Sequence, residues 1–433
     1  YLLMIILGIN ETSHDASVSL IKDGEVLFAA HSERYSKQKN DWYNNEDIYK
    51  DMLNYGTPTH IAYYEHPQLK RSRIFLKGGA SDWKPNIPLN LPVKYFSHHY
   101  SHAAAGYYTS NFNDAVIVVL YAIGEYIMMG MAAYGDPKRY WKKIYKYFPS
   151  IFEQKYNFHQ GINDWNEHIG QQEQFDIAAA VQKVYEKRLW DFMLMVRGEL
   201  LPQNKNLVFM GGCALNCSAN TMLWDLFDNI WIMPNPGDAG SSLGAAAAAY
   251  GSHLNWQHPY LGYDLGGKYP VQQIVDGILK NGVVAVATGR AEYGPRALGN
   301  RSILADPRDI NIKNKVNLIK KREPFRPFAP VIMEEYASEW FDMNFASPYM
   351  QYAVKCKKPD LIPAVVHKDG TSRVQTVNKN QHEGLYNLLK KWHNITGVPI
   401  LLNTSLNIKG QPLLNDEIDI LNWEKTYNTK IIR

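Results

Sequence analysis

Three histidines stand close together in the segment FSHHYSHAAAGYY, at positions 98, 99 and 102. A spacing of four residues places His98 and His102 on one face of a helix, where two imidazoles can bind one metal ion. The alternative is a surface helix with incidental histidines, and the spacing favours neither interpretation. Asp238 is a candidate third ligand, because NPGDAGSSLG places it between a strand and a glycine-rich turn into a helix. Active-site loops gather at such positions in α/β sheets.

His14 and Asp15 lie in the turn that follows the first predicted strand. We expect them to face the same cleft as the histidine pair. A hydrogen-bonded turn histidine without a chemical role is the alternative, and the spacing alone does not reject it.

Two glycine-rich turns precede predicted helices and could bind a phosphate. They contain Gly211, Gly212 and Asn216 in MGGCALN, and Gly237, Gly240 and Gly244 in PGDAGSSLG. Exposed backbone N–H groups and a helix N-terminus both favour an anion. Tight helix packing explains such glycines equally often, but two such turns after predicted strands favour a nucleotide-binding cleft.

Residues 290 to 326 carry ten basic and four acidic side chains, a local excess of +6. A run of charge usually marks a solvated helix face. Here the arginines lie among glycine, proline and aromatic residues, in EYGPRALGNRS and REPFRPFAP. Arginines fixed in such loops suit bidentate contacts to phosphate or carboxylate, so we predict an anion pocket.

The chain of 433 residues, with 45% apolar residues, is long enough for two domains. We place the boundary in the segment HPYLGYDLGGKYP, which gives domains at residues 1–265 and 266–433. Similar strand and turn units near residues 3–31 and 115–125 suggest two related lobes that face one cleft, although two unrelated strands would look the same. Residues 36–95 are predicted as helices and loops that cover the sheet, and 175–200 as an amphipathic helix.

The composition excludes several classes of protein. Three cysteines cannot form an extracellular disulfide framework, so we expect a reduced, cytoplasmic protein, and we give little weight to a zinc site at Cys213 and Cys217. The longest apolar runs fall far short of the ~20 residues that cross a bilayer, and the first residues lack the features of a signal peptide. A net charge of +4 is too small to indicate a nucleic-acid-binding protein, but it fits an anionic substrate.

Eight segments together resemble one family, the NodU-type O-carbamoyltransferases of nodulation-factor and antibiotic biosynthesis. In order, they are GINETSHDASVSL, HHYSHAAA, MGGCALN, PGDAGSSLGAA, GRAEYGPRALGNRSILADPR, KKREPFRPFAP, DGTSRVQTV and PILLNTSLNIKGQP. The resemblance covers nearly the whole chain. It implies an α/β protein with a bilobal, actin-like ATPase domain at the N-terminus and a smaller α/β domain similar to threonylcarbamoyl-adenylate synthase at the C-terminus.

The resemblance also implies a reaction. Carbamoyl phosphate and ATP, with Mg²⁺, would give carbamoyl-adenylate, and the carbamoyl group would pass to an acceptor hydroxyl beside iron or another divalent metal. The acceptor stays open between a sugar, another small molecule and a hydroxymethylated pyrimidine in a nucleotide or DNA, and so does a homodimer. The alternatives are a threonylcarbamoyl-type tRNA-modifying transferase and an inactive nucleotide-binding homologue.

The resemblance assigns roles to individual residues of this chain. The carbamoyl donor would be held by Lys320, Arg326, Arg373 and Ser405, with Arg296 and Arg301 lining the same pocket. The metal would be bound by His98, His102 and Asp238, and His14 would be the general base that takes the acceptor proton.

The chain departs from the family pattern in two places. Tyr121, in VVLYAIGE, stands where the family has a metal-binding aspartate. Either a weaker site with tyrosine or water as a ligand remains or the metal has been lost, and we keep a metal site with Tyr121 among its ligands. After Glu125 the chain is far shorter than the family pattern, by about a β-hairpin and a helix.

Overall fold

The computed structural model describes residues 4–12, 14–76, 79, 82–120, 171–200, 205–427 and 429–433. The described residues form a mixed α/β structure, which confirms the predicted class, with one five-stranded, one three-stranded, one six-stranded and two two-stranded sheets.

The strands and helices of the described residues are numbered here in chain order. The strands are β1 Ile5–Asn10, β2 Ser17–Lys22, β3 Glu25–His31, β4 His60–Tyr63, β5 Val93–Tyr95, β6 Val116–Val119, β7 Asn206–Met210, β8 Asn229–Trp231, β9 Tyr260–Asp264, β10 Val283–Ala287, β11 Arg290–Glu292, β12 Arg301–Ala305, β13 Ala329–Met333, β14 Ala353–Lys355, β15 Thr371–Arg373, β16 Gln375–Val377, β17 Ile400–Ser405 and β18 Ile431–Ile432. The α-helices are α1 Glu33–Ser36, α2 Glu46–Leu53, α3 Pro67–Leu76, α4 His98–Thr109, α5 Gln171–Leu200, α6 Cys217–Thr221, α7 Ser241–Tyr250, α8 Val271–Asn281, α9 Asn311–Ile319, α10 Ala337–Trp340, α11 Glu383–Thr396 and α12 Glu417–Tyr427.

The first sheet has the strand order β3-β2-β1-β4-β5. β1, β2 and β3 are antiparallel neighbours, as the sequence predicts, whereas β4 and β5 run parallel to β1. The β2–β3 turn is Asp23-Gly24, and both residues have the positive φ that a tight hairpin turn requires. The prediction of only helices and loops in residues 36–95 is wrong at β4 and β5, since strands of four and three residues are too short to show a period.

The second sheet contains the parallel strands β6, β7 and β8. The predicted amphipathic helix is present as α5, which begins four residues earlier than expected and packs apolar side chains such as Phe192 and Met193 against this sheet. The similar unit predicted at 115–125 is described only up to Leu120, so Tyr121 and the residues after Glu125 lie outside the described part of the chain.

The six-stranded sheet has the order β16-β13-β17-β12-β10-β18 and contains most of the C-terminal strands. Its apolar residues, such as Ala285 on β10 and Ile303 on β12, belong to one continuous hydrophobic cluster with Val118 on β6 and Leu207 on β7. The three-stranded sheet of β6 to β8 and the six-stranded sheet therefore share a core. None of the described helices combines the length and apolar character that crossing a lipid bilayer requires.

Candidate functional site

Two helices approach each other closely because small residues line their contact. A Cβ atom on Gly244 of α7 would lie 1.7 Å from the carbonyl oxygen of Ser101 in α4, and one on Gly8 of β1 would lie 2.0 Å from the carbonyl oxygen of Ser242. Only glycine permits these approaches. They bring the start of α7, with Asp238 just before it, against the first turns of α4.

This packing gathers the predicted metal ligands. His98 and His102 lie on one face at the start of α4, and Nε2 of His102 is 3.4 Å and Nε2 of His98 is 3.8 Å from Oδ1 of Asp238. One ligand atom from each of the three residues lies within 4.8 Å of the other two, as in a site that could hold a metal ion. Helix α4 is largely buried, unlike the surface helix of the alternative interpretation.

The protonation of this cluster suits a metal ligand set. Nδ1 of His102 lies 3.1 Å from the carbonyl oxygen of Pro236, which can only accept, so Nδ1 carries the proton and Nε2 offers its lone pair. Burial lowers the pKa of His102 to about 3 and that of His98 well below its usual range. Both imidazoles are therefore neutral, the form that binds metals. Burial also raises the pKa of Asp238 to about 6, and this effect exceeds the opposite effect of His14 and Lys70.

His14 reaches this cluster from the β1–β2 turn. Its Nδ1 lies 2.8 Å from Oδ2 of Asp15 and its Nε2 3.4 Å from Oδ2 of Asp238, and its side chain is 60% exposed. The hydrogen bond that His14 donates to the carboxylate of Asp15 is the main cause that raises the pKa of His14. The turn is held by Asn10, whose side-chain N–H groups donate to the carbonyls of Asp15 and Asp238.

A second histidine near this turn was missed in the sequence. His31 is fully buried at the end of β3, its Nε2 accepts from Asn235, and burial lowers its pKa to about 4. It is a neutral group in the wall behind the turn. A lone histidine at the end of a strand carries no sequence signal that separates this position from others.

Some glycines of the two glycine-rich turns are required by close packing, whereas others are not. A Cβ on Gly211 would lie 2.1 Å from the carbonyl oxygen of Leu120, and one on Gly240 would lie 2.0 Å from that of Asn235, so close packing explains both glycines. Among the described residues, the Cβ position of Gly212 meets no atom within 4 Å, and that of Gly237 meets only Leu215, at 3.9 Å.

Asn216 has a structural task at the first of these turns. Its side-chain oxygen accepts from the backbone N–H of Ala219 and caps α6, while its amide also exchanges hydrogen bonds with Gln182 of α5. The loop MGGCALN is thereby fixed to α5.

The predicted anion pocket is a cavity of about 280 Å³. It is lined by Pro295, Arg296, Ala297, Arg322, Arg326, Pro327, Met350, Arg373, Asn403, Thr404 and Ser405. Four of the predicted donor residues, Arg296, Arg326, Arg373 and Ser405, thus come together. Arg322 was missed as a site residue, although it lies in the basic segment.

No acidic residue is among the described residues that line this cavity, although Glu323 pairs with Arg326 at 3.1 Å. The neighbouring cation of Arg373, followed by burial, lowers the pKa of Arg296 to about 9. Burial, with Arg326 and Arg373, lowers the pKa of Arg322 to about 10. Nε of Arg373 is buried and has no hydrogen-bond partner among the described residues. Crowded cations with unused donors form a site that an anion would stabilise.

Lys320 lies behind the cavity wall and touches it through Ser405. Its ammonium group donates to Oγ of Ser405 at 3.0 Å, to Oδ1 of Asn407 at 2.8 Å and to the carbonyl of Ser405. Burial holds the pKa of Lys320 well below its usual range. Asn407 is a second residue that the sequence interpretation missed.

Arg301 does not lie where the sequence interpretation placed it. Its guanidinium is fully buried beneath β12 and donates to the backbone carbonyls of Tyr263, Thr288, Gly289, Asn300 and Asn415. It is not among the residues that line the cavity. Arginines in one loop-rich segment look alike in sequence, but the alternation of β12 points this one inward.

Two family profiles match separate parts of the chain. The profile of the carbamoyltransferase N-terminus matches residues 124–247, and that of the carbamoyltransferase C-terminus matches residues 275–432. The chain belongs to the carbamoyltransferase family. It is an enzyme that transfers a carbamoyl group from a donor to an acceptor.

Several curated proteins are similar to this carbamoyltransferase. Nodulation protein NolNO of Sinorhizobium fredii is 28% identical over 95% of this chain and 76% of its own length. Nodulation protein U of Rhizobium tropici is 36% identical over 54% of this chain and 44% of its own length. A solved structure of full-length HypF in the phosphate- and nucleotide-bound form is 14% identical and covers 57% of this chain and 55% of that one, with a TM-score of 0.32, too low to show a shared fold.

The uncharacterized protein sll1178 of Synechocystis is 26% identical over 94% of this chain and 92% of its own length. That alignment spans 572 positions, more than the 433 residues of this chain, so the relative has internal residues without a counterpart here. This difference agrees with the expected shortening of the chain, whose position after Glu125 stays a prediction.

Proposed function

We propose that this carbamoyltransferase makes carbamoyl-adenylate from carbamoyl phosphate, ATP and one water in the arginine-lined cavity. Phosphate and pyrophosphate leave in this step, and AMP leaves in the transfer that follows. The enzyme then transfers the carbamoyl group to an acceptor hydroxyl at the cluster of His98, His102 and Asp238. The observation that carries the proposal is the presence in one chain of a cavity with four arginines among its described lining residues and a separate cluster of metal-ligand type.

The donor step asks for positive charge and directed N–H groups. Carbamoyl phosphate and the phosphates of ATP are anions, and arginines bind such groups through two parallel hydrogen bonds. Arg296, Arg322, Arg326 and Arg373 supply the charge, and Ser405 is held in place by Lys320. Preorganised donors of this kind also stabilise the charge that develops when a carbamoyl carbon is attacked.

The transfer step asks for a base and for polarisation of the carbamoyl oxygen. His14 has its Nδ1 bonded to Asp15 and its Nε2 directed toward the cluster, so Nε2 is the atom that would take the acceptor proton. Iron or another divalent metal, held by His98, His102 and Asp238 and by Tyr121 outside the described residues, would act as a Lewis acid there. No described side chain crowds the Cβ positions of Gly212 and Gly237, so a nucleotide would approach these turns there.

The fold supports an actin-like N-terminal domain at residues 1–265. Its first sheet has the order β3-β2-β1-β4-β5, with three antiparallel strands followed by two parallel ones, and β6 to β8 would be the parallel core of a second lobe. Residues 266–433 would form the adenylate-forming domain. A side-chain N–H of Arg296 lies 3.5 Å from the carbonyl of Leu215, so the proposed domains meet at the donor cavity.

The test uses labelled carbamoyl phosphate, ATP and a panel of acceptors that includes sugars, nucleosides and hydroxymethylated pyrimidines in nucleotides and DNA. We expect carbamoyl-adenylate and one carbamoylated acceptor by mass spectrometry. Adenylate without any carbamoylated acceptor would contradict the transfer half, and carbamoylation without ATP would contradict the donor half. Arg326→Ala is expected to abolish adenylate formation, and a normal rate in that variant would contradict the assigned cavity.

A further inference from the structure

Asn403 places a side-chain amide at the wall of the arginine-lined cavity. The last residues of β17, Asn403 to Ser405, all line the cavity. Asn403 is 1% exposed, and its Oδ1 has no hydrogen-bond partner among the described residues. A buried amide oxygen is stabilised by a hydrogen bond, and here a ligand in the cavity could supply it.

The orientation of this amide is fixed by its neighbours. Nδ2 of Asn403 donates to the carbonyl of Ala297 at 3.1 Å and to Oε1 of Gln375 at 2.6 Å. Nε2 of Gln375 donates in turn to the carbonyl of Leu298 at 3.0 Å. Both carbonyls can only accept, so neither amide can rotate without placing an oxygen against an oxygen. Both N–H groups of Asn403 are therefore used, and Oδ1 is left to accept from a ligand.

Burial alone does not make such an oxygen a binding group. Asn220 is also buried, and its Nδ2 also donates to two carbonyls, those of Ala214 at 2.8 Å and Gln351 at 3.0 Å. Its Oδ1 likewise has no partner among the described residues, but Asn220 does not belong to the described lining of the cavity. Asn403 combines the unused oxygen with a place in the cavity wall, so Asn220 is a matched control for it.

The carbamoyl group presents both kinds of hydrogen-bonding group. Its carbonyl oxygen and the phosphate oxygens of carbamoyl phosphate accept, and the guanidinium groups that line the cavity only donate. Its amino group only donates, so an arginine cannot bind it and an acceptor is required. Oδ1 of Asn403 is such an acceptor, and its burial suits a small group such as an amino group.

We propose that Oδ1 of Asn403 accepts a hydrogen bond from the amino group of the carbamoyl donor, so that the cavity selects carbamoyl over acetyl compounds of the same shape. An acetyl group has a methyl in place of the amino group and would leave Oδ1 unpaired. A site that is built to hydrogen-bond a substrate N–H discriminates strongly against an analogue without it. Gln375 is a positioning residue, because it holds the amide of Asn403. This selection rests on the proposed function, in which the cavity binds the carbamoyl donor.

Two stable phosphonates test the selection in the absence of ATP. Phosphonoacetamide has an amino group where acetonylphosphonate has a methyl group, and titration calorimetry of the full chain measures the affinity for each. We expect phosphonoacetamide to bind roughly 5- to 150-fold more tightly, the range for leaving one buried polar group unpaired. Equal affinities would overturn the assignment of Asn403. Binding of neither phosphonate, nor of carbamoyl phosphate, would instead overturn the donor cavity and the selection with it.

Variants locate the selection at Asn403. Asn403→Leu, which has nearly the same shape and no acceptor, should make the two affinities nearly equal while inorganic phosphate still binds. Gln375→Leu should reduce the difference, because one of the two bonds that hold the amide is lost. Asn220→Leu should lose stability but keep the difference of the unchanged chain. An undiminished difference in Asn403→Leu would overturn the proposal.

A further measurement does not depend on a variant that folds. In a crystal structure of the unchanged chain with phosphonoacetamide, the amide nitrogen of the ligand should lie within about 3.2 Å of Oδ1 of Asn403. A ligand amide that contacts other groups of the cavity and leaves Oδ1 unpaired would overturn the proposal, even if the two phosphonates differ in affinity.

Discussion

Nε2 of His14 lies 3.4 Å from Oδ2 of Asp238, although the two residues are far apart in sequence. The other oxygen of Asp238 faces His102, so this carboxylate stands between the proposed base and the proposed metal ligands. The carboxylate of Asp238 therefore contacts both the proposed base and a proposed metal ligand. A substitution of His14 should affect metal binding through it, and a substitution of His102 should affect proton transfer.

His102→Ala should lower the affinity for iron or another divalent metal by at least about 100-fold, more than the loss of an outer-shell partner causes. Its Nε2 is one of three converging ligand atoms. Metal analysis of the purified protein and titration with the metal measure the effect. Carbamoyl-adenylate formation should persist, because the arginine-lined cavity is a separate site. His60→Ala, at an exposed histidine, is the matched control, and full metal occupancy in His102→Ala would refute the ligand assignment.

Arg373→Ala should reduce kcat/KM for adenylate formation by roughly 10- to 150-fold, the value of one hydrogen bond to a charged group. The guanidinium of Arg373 lines the cavity and has a buried Nε without a partner among the described residues. Arg308→Ala is the control, since Arg308 lies in the basic segment of residues 290–326 but pairs with Asp306. Equal losses in the two variants would indicate a general effect of charge.

Arg301→Lys should reduce the free energy of unfolding by at least about 2–3 kcal/mol, because lysine cannot replace a planar group bonded to five carbonyls. Urea denaturation gives this value. The activity per folded molecule should change little. A variant of normal stability that makes no adenylate would instead return Arg301 to the donor site.

Glu11 should make stability depend on pH. Burial raises its pKa from 4.5 to about 7 in the folded chain. A raised pKa means that the folded state holds the proton more tightly, so this stabilisation is complete below about pH 4.5 and is lost as the pH rises through about 7. Tyr49 and Tyr63 stay neutral over this range, because burial raises their pKa values further. The Tm of the unchanged chain should fall between pH 5 and 8, and the Tm of Glu11→Gln should fall less. Thermal denaturation scans at several pH values would show this difference. The same slope in both proteins would contradict the assignment.

Gly244→Ala should destabilise the chain by at least about 1–3 kcal/mol, as overpacking does. Its new Cβ would overlap the backbone oxygen of Ser101, so α4 must move and the metal ligands with it. Both Tm and metal affinity should fall. Gly198→Ala on α5, where a Cβ meets no atom within 4 Å, is the control and should raise stability by up to about 1 kcal/mol. Retained metal affinity in Gly244→Ala would separate the ligands from this packing.

The sequence predicted the parts of the site that depend on local patterns. The spacing of His98 and His102 indicates one helical face, and the turn at Asp238 follows a strand. The sequence therefore indicated candidate metal ligands, but it did not show that they lie in contact. The convergence itself depends on Gly8 and Gly244, whose role appears only when β1, α4 and α7 are packed.

Other features depend on distant neighbours and had no local signal. β4 and β5 are strands because β1 supplies their hydrogen bonds, not because of their own few residues. Arg301 and Arg326 share a basic sequence environment, but only the packed structure separates a side chain that binds backbone carbonyls from one that lines a cavity. Glu11 looks like an ordinary turn residue, and its complete burial appears only in the packed structure.

The hydrophobic cluster shared by the three-stranded and six-stranded sheets has a consequence for the effects of mutations in the gene. A substitution that loosens this core in either half of the chain would deplete the whole folded molecule, so genetic lesions far apart on the gene should give one phenotype. Complementation between two fragments divided near residue 265 should be poor, because each fragment would expose the apolar face that the other normally covers.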